Sequence, residues 1–105
     1  MPKKETELVV VKWSKPALDQ LDKALDFIIG EGFVSYAAKV EESILSRIEN
    51  LVKHHNIYPV DKYKKDNDGS YHAFEVEEYR ISYRVKNAEV KIIRIRHTSR
   101  RPRKY

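Results

Sequence analysis

Arg80, Arg84, Arg94 and Arg96 crowd into seventeen positions late in the chain, and His97 follows the last of them directly. Asp61 and the lysines Lys62, Lys64 and Lys65 come before this group, and Arg100, Arg101 and the last residue, Tyr105, come after it. These residue types suit phosphodiester chemistry that needs no metal and no cofactor. Guanidinium forks stabilise charge on a phosphorane-like transition state. A histidine titrates near neutrality and can move a proton. An aromatic ring can stack an unpaired base. Other chemistries are excluded: the chain has no glycine-rich phosphate loop, no His-Glu-x-x-His, no Cys-x-x-Cys and no serine in a nucleophile elbow. With no cysteine at all, disulfides, thiolate metal sites and cysteine nucleophiles are ruled out too.

Strands must position those arginines. Tyr79, Ile81, Tyr83 and Val85 alternate with Arg80, Ser82, Arg84 and Lys86, the period-2 pattern of a half-buried strand. The run from Glu89 to His97 is equally β-rich but doubles its apolar residues at Ile92-Ile93. Joining the two through a three-residue loop, Asn87-Ala88-Glu89, sets Arg80 opposite Arg96, Ser82 opposite Arg94 and Ile81 opposite Ile95. One face is then apolar and the other carries arginines; a one-residue slip would mix them. Like charges directly opposite one another destabilise a sheet, so an anion between Arg80 and Arg96 is one reading. A solvated face balanced by Glu75, Glu77 and Glu78 is the other. In either case Arg80 is expected to face out, so that Arg80→Ala leaves the fold intact.

The rest of the chain supplies a scaffold. At 105 residues it is expected to form a single domain, 1–105, with a basic tail over 98–105. The net charge of +5 is uneven: residues 91–105 hold seven basic side chains and no acid, whereas residues 1–90 hold 14 basic against 16 acidic. That is the footprint of a polyanion binder, or else of a basic tail without a specific partner. No signal-like or membrane-spanning run is present, so a soluble, cytoplasmic protein with no membrane partner is expected. Glu7 to Trp13 reads as a first strand. Ser14 and Pro16 open a helix with the stripe Leu18, Leu21, Leu25, Ile28 and Ile29, which Gly30 and Gly32 end. Ser35 is expected to cap a second helix with Ala37, Val40, Ile44, Ile48 and Leu51 inward, Leu45 and Val52 widening the stripe, and Arg47 in water. His54 and His55 at its end suit the helix dipole better than a metal. Val60 to Lys65 forms a short extended segment, Asp66 to Gly69 a turn, and Tyr71 to Glu77 a strand. The order β-α-α-β-β-β-β describes an α+β domain: an N-terminal strand and an antiparallel helix hairpin packed on one face of a mostly antiparallel sheet.

Laid out this way, the chain resembles the RelE/ParE superfamily of toxins from bacterial type II toxin–antitoxin modules. The resemblance covers nearly the whole chain and rests on Tyr-Arg-Ile-Ser-Tyr-Arg-Val (79–85) and Ile-Arg-Ile-Arg-His-Thr-Ser-Arg-Arg (93–101). It implies a cognate antitoxin, which would cover the basic face with an acidic segment, and one of two targets, with a catalytically inactive binding or autoregulatory relative as the remaining alternative. RelE-like and YoeB-like members cut messenger RNA on the ribosome; ParE-like members poison DNA gyrase. The nuclease branch, which the residues here favour, would place Arg80 and Arg96 on the scissile phosphate, with His97 or Asp61 taking the proton from the ribose 2′-hydroxyl. Tyr105 would act near the chemistry, and Lys62, Lys64, Lys65, Arg84, Arg94, Arg100 and Arg101 would bind RNA. Asp61 lies 19 residues before Arg80, where YoeB-like members carry an acidic base. The lysines that RelE-like members carry on the strand entering the motif are replaced by Tyr71 and Ala73.

Overall fold

Ser14 ends the first strand and starts the first helix. In the computed structural model, which describes residues 9–105, strand β1 spans Val10–Trp13 and helix α1 spans Lys15–Gly30. The Glu7-Leu8 start expected for β1 lies outside the described residues. Ser14 Oγ accepts from the Ala17 N–H, and Pro16 occupies the first turn, where no N–H is needed. The buried stripe of α1 is Ala17, Leu21 and Ile28, with Leu25 half-buried; Leu18 and Ile29, expected inside, are exposed. Helix α2, Val34–His54, buries Ala37, Val40, Ile44, Ile48 and Leu51 as its spacing requires. Its start differs from expectation. Phe33, not Ser35, is the N-cap, and among the described residues no side-chain capping bond is made there. Leu45 is exposed, and Arg47 is half-buried, its Nη1 donating to the Tyr58 hydroxyl at 3.3 Å.

Strands β2 (Tyr71–Val76), β3 (Tyr79–Lys86) and β4 (Glu89–His97) form an antiparallel meander, and β1 adds to β4 in parallel, giving the order β1-β4-β3-β2. The short strand expected over 60–65 is present as one bridge, Val60 to His72. Both hairpin turns have two residues at positive φ, Glu77-Glu78 and Asn87-Ala88, the signature of type I′ turns, whose twist matches that of the strands.

The central register is as expected at one end and differs at the other. Arg80 pairs with Arg96, Ile81 with Ile95 and Ser82 with Arg94. The loop, however, has two residues, with Lys86 opposite Glu89. The two ends are reconciled by a β-bulge between Ser82 and Tyr83, where Tyr83 pairs with Ile92 and Ile93 is the extra residue. This is the physical meaning of the Ile92-Ile93 doubling. A bulge disrupts the ladder, and here the scaffold repairs it: Ser14 Oγ donates to the Ile93 carbonyl at 3.1 Å, and Gln20 Oε1 accepts from the Ile95 N–H at 2.7 Å. Tyr79, Ile81, Tyr83, Val90, Ile92, Ile95 and Phe74 fill the core under the helices. Arg80, Ser82, Arg84, Arg94 and Arg96 occupy the opposite, outer face.

Candidate functional site: the basic outer face

The outer face is roofed by two segments, the 61–65 loop and the tail. Asp61 is 1% exposed, an unusual place for a carboxylate. Three donors hold it: Arg80 Nη2 at 2.9 Å and the Tyr63 N–H at 3.0 Å on Oδ1, and the Tyr105 hydroxyl at 2.6 Å on Oδ2. Burial pushes its pKa up, but the hydrogen bonds from Tyr105, Arg80 and the Tyr63 backbone outweigh burial and hold it below the usual carboxylate range. Arg80 is equally committed. Its Nη1 donates to Glu75 Oε2 at 3.2 Å, and its guanidinium lies 4.9 Å over the Tyr63 ring. Burial disfavours its charge, but Asp61 and Glu75 more than offset that and raise its pKa.

Tyr105 is brought back across the sheet by a pair of backbone bonds: its N–H donates to the Tyr63 carbonyl at 2.9 Å, and its carbonyl accepts from the Lys65 N–H at 2.7 Å. Its ring lies 3.9 Å under the Arg94 guanidinium. Burial, then the bond to Asp61, raises its pKa, so the phenol stays protonated and donates. Arg94 Nη2 also donates to the Arg103 carbonyl at 2.6 Å, which pins the tail. Burial lowers the Arg94 pKa. Lys64 lies 4.7 Å over Tyr71, and Arg84, 4.8 Å from the same ring, donates to Ser70 Oγ at 2.9 Å.

The structure therefore brings together Asp61, Arg80, Arg94 and Tyr105, with Arg96 beside them. Lys62, Lys65, Arg100 and Arg101 stand exposed around this cluster. His97 is the exception. It pairs with Tyr79, so its side chain belongs to the helix side of the sheet, and its ring meets Tyr79 edge-on at 5.0 Å. Nδ1 accepts from the Ser99 N–H at 3.0 Å, and Nε2 lies 3.5 Å from Glu78. It borders the small cavity at the strand end without sharing the arginine face. That cavity, of about 50 Å³, is walled by Arg80, Arg94, Arg96 and Arg100. The space is open to solvent and large enough for water.

Sequence reasoning named Glu75 as one of three acids balancing the arginine face and set Ser82 opposite Arg94, and both hold; it did not single out Tyr63. Glu75 is the direct cross-strand partner of Arg80, a pairing that the tight turn at Glu77-Glu78 implies. Nothing local in the sequence marks Tyr63 as the contact for the tail. His54 and His55 end α2 and act as its basic last turn and C-cap. Among the described residues no group of three or more His, Asp or Glu is placed to hold a metal, and no helix is long and apolar enough to cross a membrane.

No curated protein matches the chain. Among solved structures it superposes on a chain of the chromosomal ParDE toxin–antitoxin system of P. aeruginosa with a TM-score of 0.69 and 20% identity, covering 87% of this chain and 97% of that one. It also superposes on a chain of the toxin–antitoxin complex RelBE2 of Mycobacterium tuberculosis with a TM-score of 0.54 and 17% identity, covering 91% and 97%. At those identities the likeness establishes the fold. The family follows from the sequence itself: residues 11–102 match the model of the ParE toxin of the type II toxin–antitoxin system parDE, and the chain belongs to that toxin family.

Proposed function

We propose that this toxin acts by binding its target, as a ParE-like inhibitor of DNA gyrase, and not by cutting RNA. The observation that carries the reading is the closed cluster of Asp61, Arg80 and Tyr105. A metal-free nuclease needs a base titrating near neutrality and a guanidinium free to meet the phosphate. Here the carboxylate is held ionised by three donors, and the guanidinium is held by two carboxylates. His97, the remaining proton carrier, borders the arginine cavity but is engaged elsewhere, with its ring against Tyr79 and its Nε2 beside Glu78. The cluster is built to hold the tail and the 61–65 loop against the sheet. Lys62, Lys65, Arg100, Arg101 and Arg103 are left exposed for an acidic protein surface or nucleic acid. Membership of the ParE family supports the same target.

One observation favours the ribosome-dependent nuclease instead. Arg80 and Arg96 sit directly opposite one another at the cavity wall, and a phosphate could bridge them once the tail moves. Two assays on purified toxin separate the readings: supercoiling by DNA gyrase, and integrity of messenger RNA on translating ribosomes. The expected outcome is lost supercoiling with intact message. Cleaved message with gyrase unaffected would refute the proposal. In cells, either target predicts growth arrest when the chain is expressed without its antitoxin.

A further inference from the structure

The tail lies over the arginine face against its own charge. Residues 98–104 are exposed, and Tyr105, at the end, is half-buried. Arg100, Arg101, Arg103 and Lys104 place four positive charges, with no acid among them, over a sheet face that already carries Arg80, Arg84, Arg94 and Arg96. Like charges oppose that position. Burial lowers the Arg94 pKa, and the neighbouring charges of Arg96 and Arg80 add to the effect. Polar bonds hold the tail down at both ends of its last stretch. Tyr105 is fixed to the 61–65 loop, through its hydroxyl on Asp61 and its backbone bonds to Tyr63 and Lys65. Before it, Arg94 Nη2 donates to the Arg103 carbonyl at 2.6 Å, and Arg96 Nη2 donates to the Arg101 carbonyl at 3.5 Å. Both of these acceptors are neutral. A charged oxygen in the same place makes a bond roughly twice as strong.

We infer that the tail is a strap over a phosphate-binding row, Arg94 and Arg96, and that the backbone of duplex DNA opens it by taking the places of the Arg101 and Arg103 carbonyls. The charged phosphate oxygens outcompete the neutral carbonyls, and the freed tail brings its own four basic residues onto the same backbone. The tyrosines select a duplex over a single strand. Single strands are held by bare aromatic rings that stack unpaired bases. Here Tyr63 lies against Lys62 and Arg80, Tyr71 against Lys64 and Arg84, and Tyr105 against Lys64 and Arg94, all between 3.9 and 5.5 Å. With each ring matched to two cations, the face offers charge to a backbone and no platform to a base. Backbone contacts of this kind leave the bases paired. Arg80 stays with Asp61 and Glu75, so opening the strap uncovers two guanidiniums for binding and no proton carrier. The inference deepens the gyrase reading and rests on it for its setting, duplex DNA being what gyrase acts on.

The test uses purified chain and a labelled duplex of mixed sequence, without gyrase, with anisotropy read at several salt concentrations. Tyr105→Ala frees the strap and keeps every basic residue. It should bind the duplex tighter than the parent by about fivefold or more, because the closed population no longer competes. Its log–log salt slope should steepen by about 1.8, the signature of two further phosphates neutralised. Adding Arg94→Gln/Arg96→Gln to Tyr105→Ala should return the slope to that of the parent. A second readout needs no variant and so does not depend on how Tyr105→Ala folds. Saturating the parent with duplex should speed hydrogen exchange at the Lys65 and Tyr105 amides, which bond each other's segments while the strap is closed. A folded Tyr105→Ala that binds no tighter, or with an unchanged slope, would overturn the inference by making the tail a contact and not a cover. Slower exchange of the Lys65 amide in the complex would overturn it too, as would tighter binding to single-stranded RNA than to duplex, or no duplex binding by either protein. Tighter duplex binding by Tyr105→Ala supports the inference whether or not the toxin stops supercoiling, which tests the gyrase reading by itself.

Discussion

Arg80 gives the sharpest test of how the outer face is held. The sequence suggested an outward arginine whose loss relieves repulsion from Arg96 and leaves the fold intact. The structure corrects that expectation: the Arg80 side chain is 18% exposed and the side chain of its partner Asp61 is fully buried. Replacing Arg80 with methionine keeps the side-chain length and strands a buried carboxylate. Removing one partner of a buried pair costs about 3–5 kcal/mol. Tyr105 and the Tyr63 N–H still donate to Asp61 in the variant, so the low end, about 3 kcal/mol, is expected. Asp61→Asn keeps the shape and leaves Arg80 with the half-exposed Glu75, at a cost of about 1–3 kcal/mol. In the double variant no uncompensated charge remains, and the loss should fall short of the sum by about 2 kcal/mol. Urea unfolding at pH 7 reads all three values. The coupling also has a pH signature. The folded-state pKa of Asp61 is depressed, so its contribution is present above the unfolded value of about 3.9 and fades as pH falls through the lower folded value. Acid should therefore narrow the gap between the parent and Asp61→Asn. An Arg80→Met cost below about 1 kcal/mol with no coupling would refute the closed cluster and free Arg80 for a ligand.

Three further outcomes follow from neighbouring contacts. Tyr105→Phe removes only the hydroxyl on Asp61 and should cost about 1.5–3 kcal/mol in unfolding experiments, with faster exchange of the Lys65 amide, which bonds the Tyr105 carbonyl. Ala88→Gly should stabilise the protein by about 0.5–1 kcal/mol, because Ala88 holds φ +59° in a turn that favours Asn-Gly. Ser14→Ala should cost about 1–2 kcal/mol, since it removes the cap on the Ala17 N–H and leaves the Ile93 carbonyl without its donor; thermal unfolding reads the latter two changes.

Much of this architecture was legible in the residues. The alternation of Tyr79 to Val85 and the 3–4 spacing of Ala37 to Leu51 placed the core correctly, because burial on one face imposes those periods. The Arg80–Arg96 register was legible for the same reason: any slip would have exposed Ile81 and Ile95. That register also carried an unread implication, because pairing Arg80 with Arg96 puts His97 opposite Tyr79 and off the basic face. The turn length was not legible, since a bulge and a shorter loop give the same distant register as no bulge and a longer loop. Nor was the union of Asp61 with Tyr105, which joins positions 44 apart through a tail with no periodic signal. Asp61 was found by its distance from Arg80, but its burial, which turns a candidate base into an anchor, depends on chain that returns from far away.

The bulge at Ile93 acts like a dislocation in a crystal row. Before it, the even-numbered residues Val90 and Ile92 point to the core; after it, the odd-numbered Ile95 does, and even numbers carry Arg94 and Arg96. A saturation scan along β4 should therefore show tolerance to polar residues switching parity at position 93, at odd positions before it and at even positions after it. The two halves of this strand are thus under separate rules. A deletion of Ile93 would set Arg94 directly after Ile92 and restore plain alternation with Arg94 and Arg96 still outward, at the cost of the carbonyl that Ser14 holds, whereas a substitution there need only spare that carbonyl.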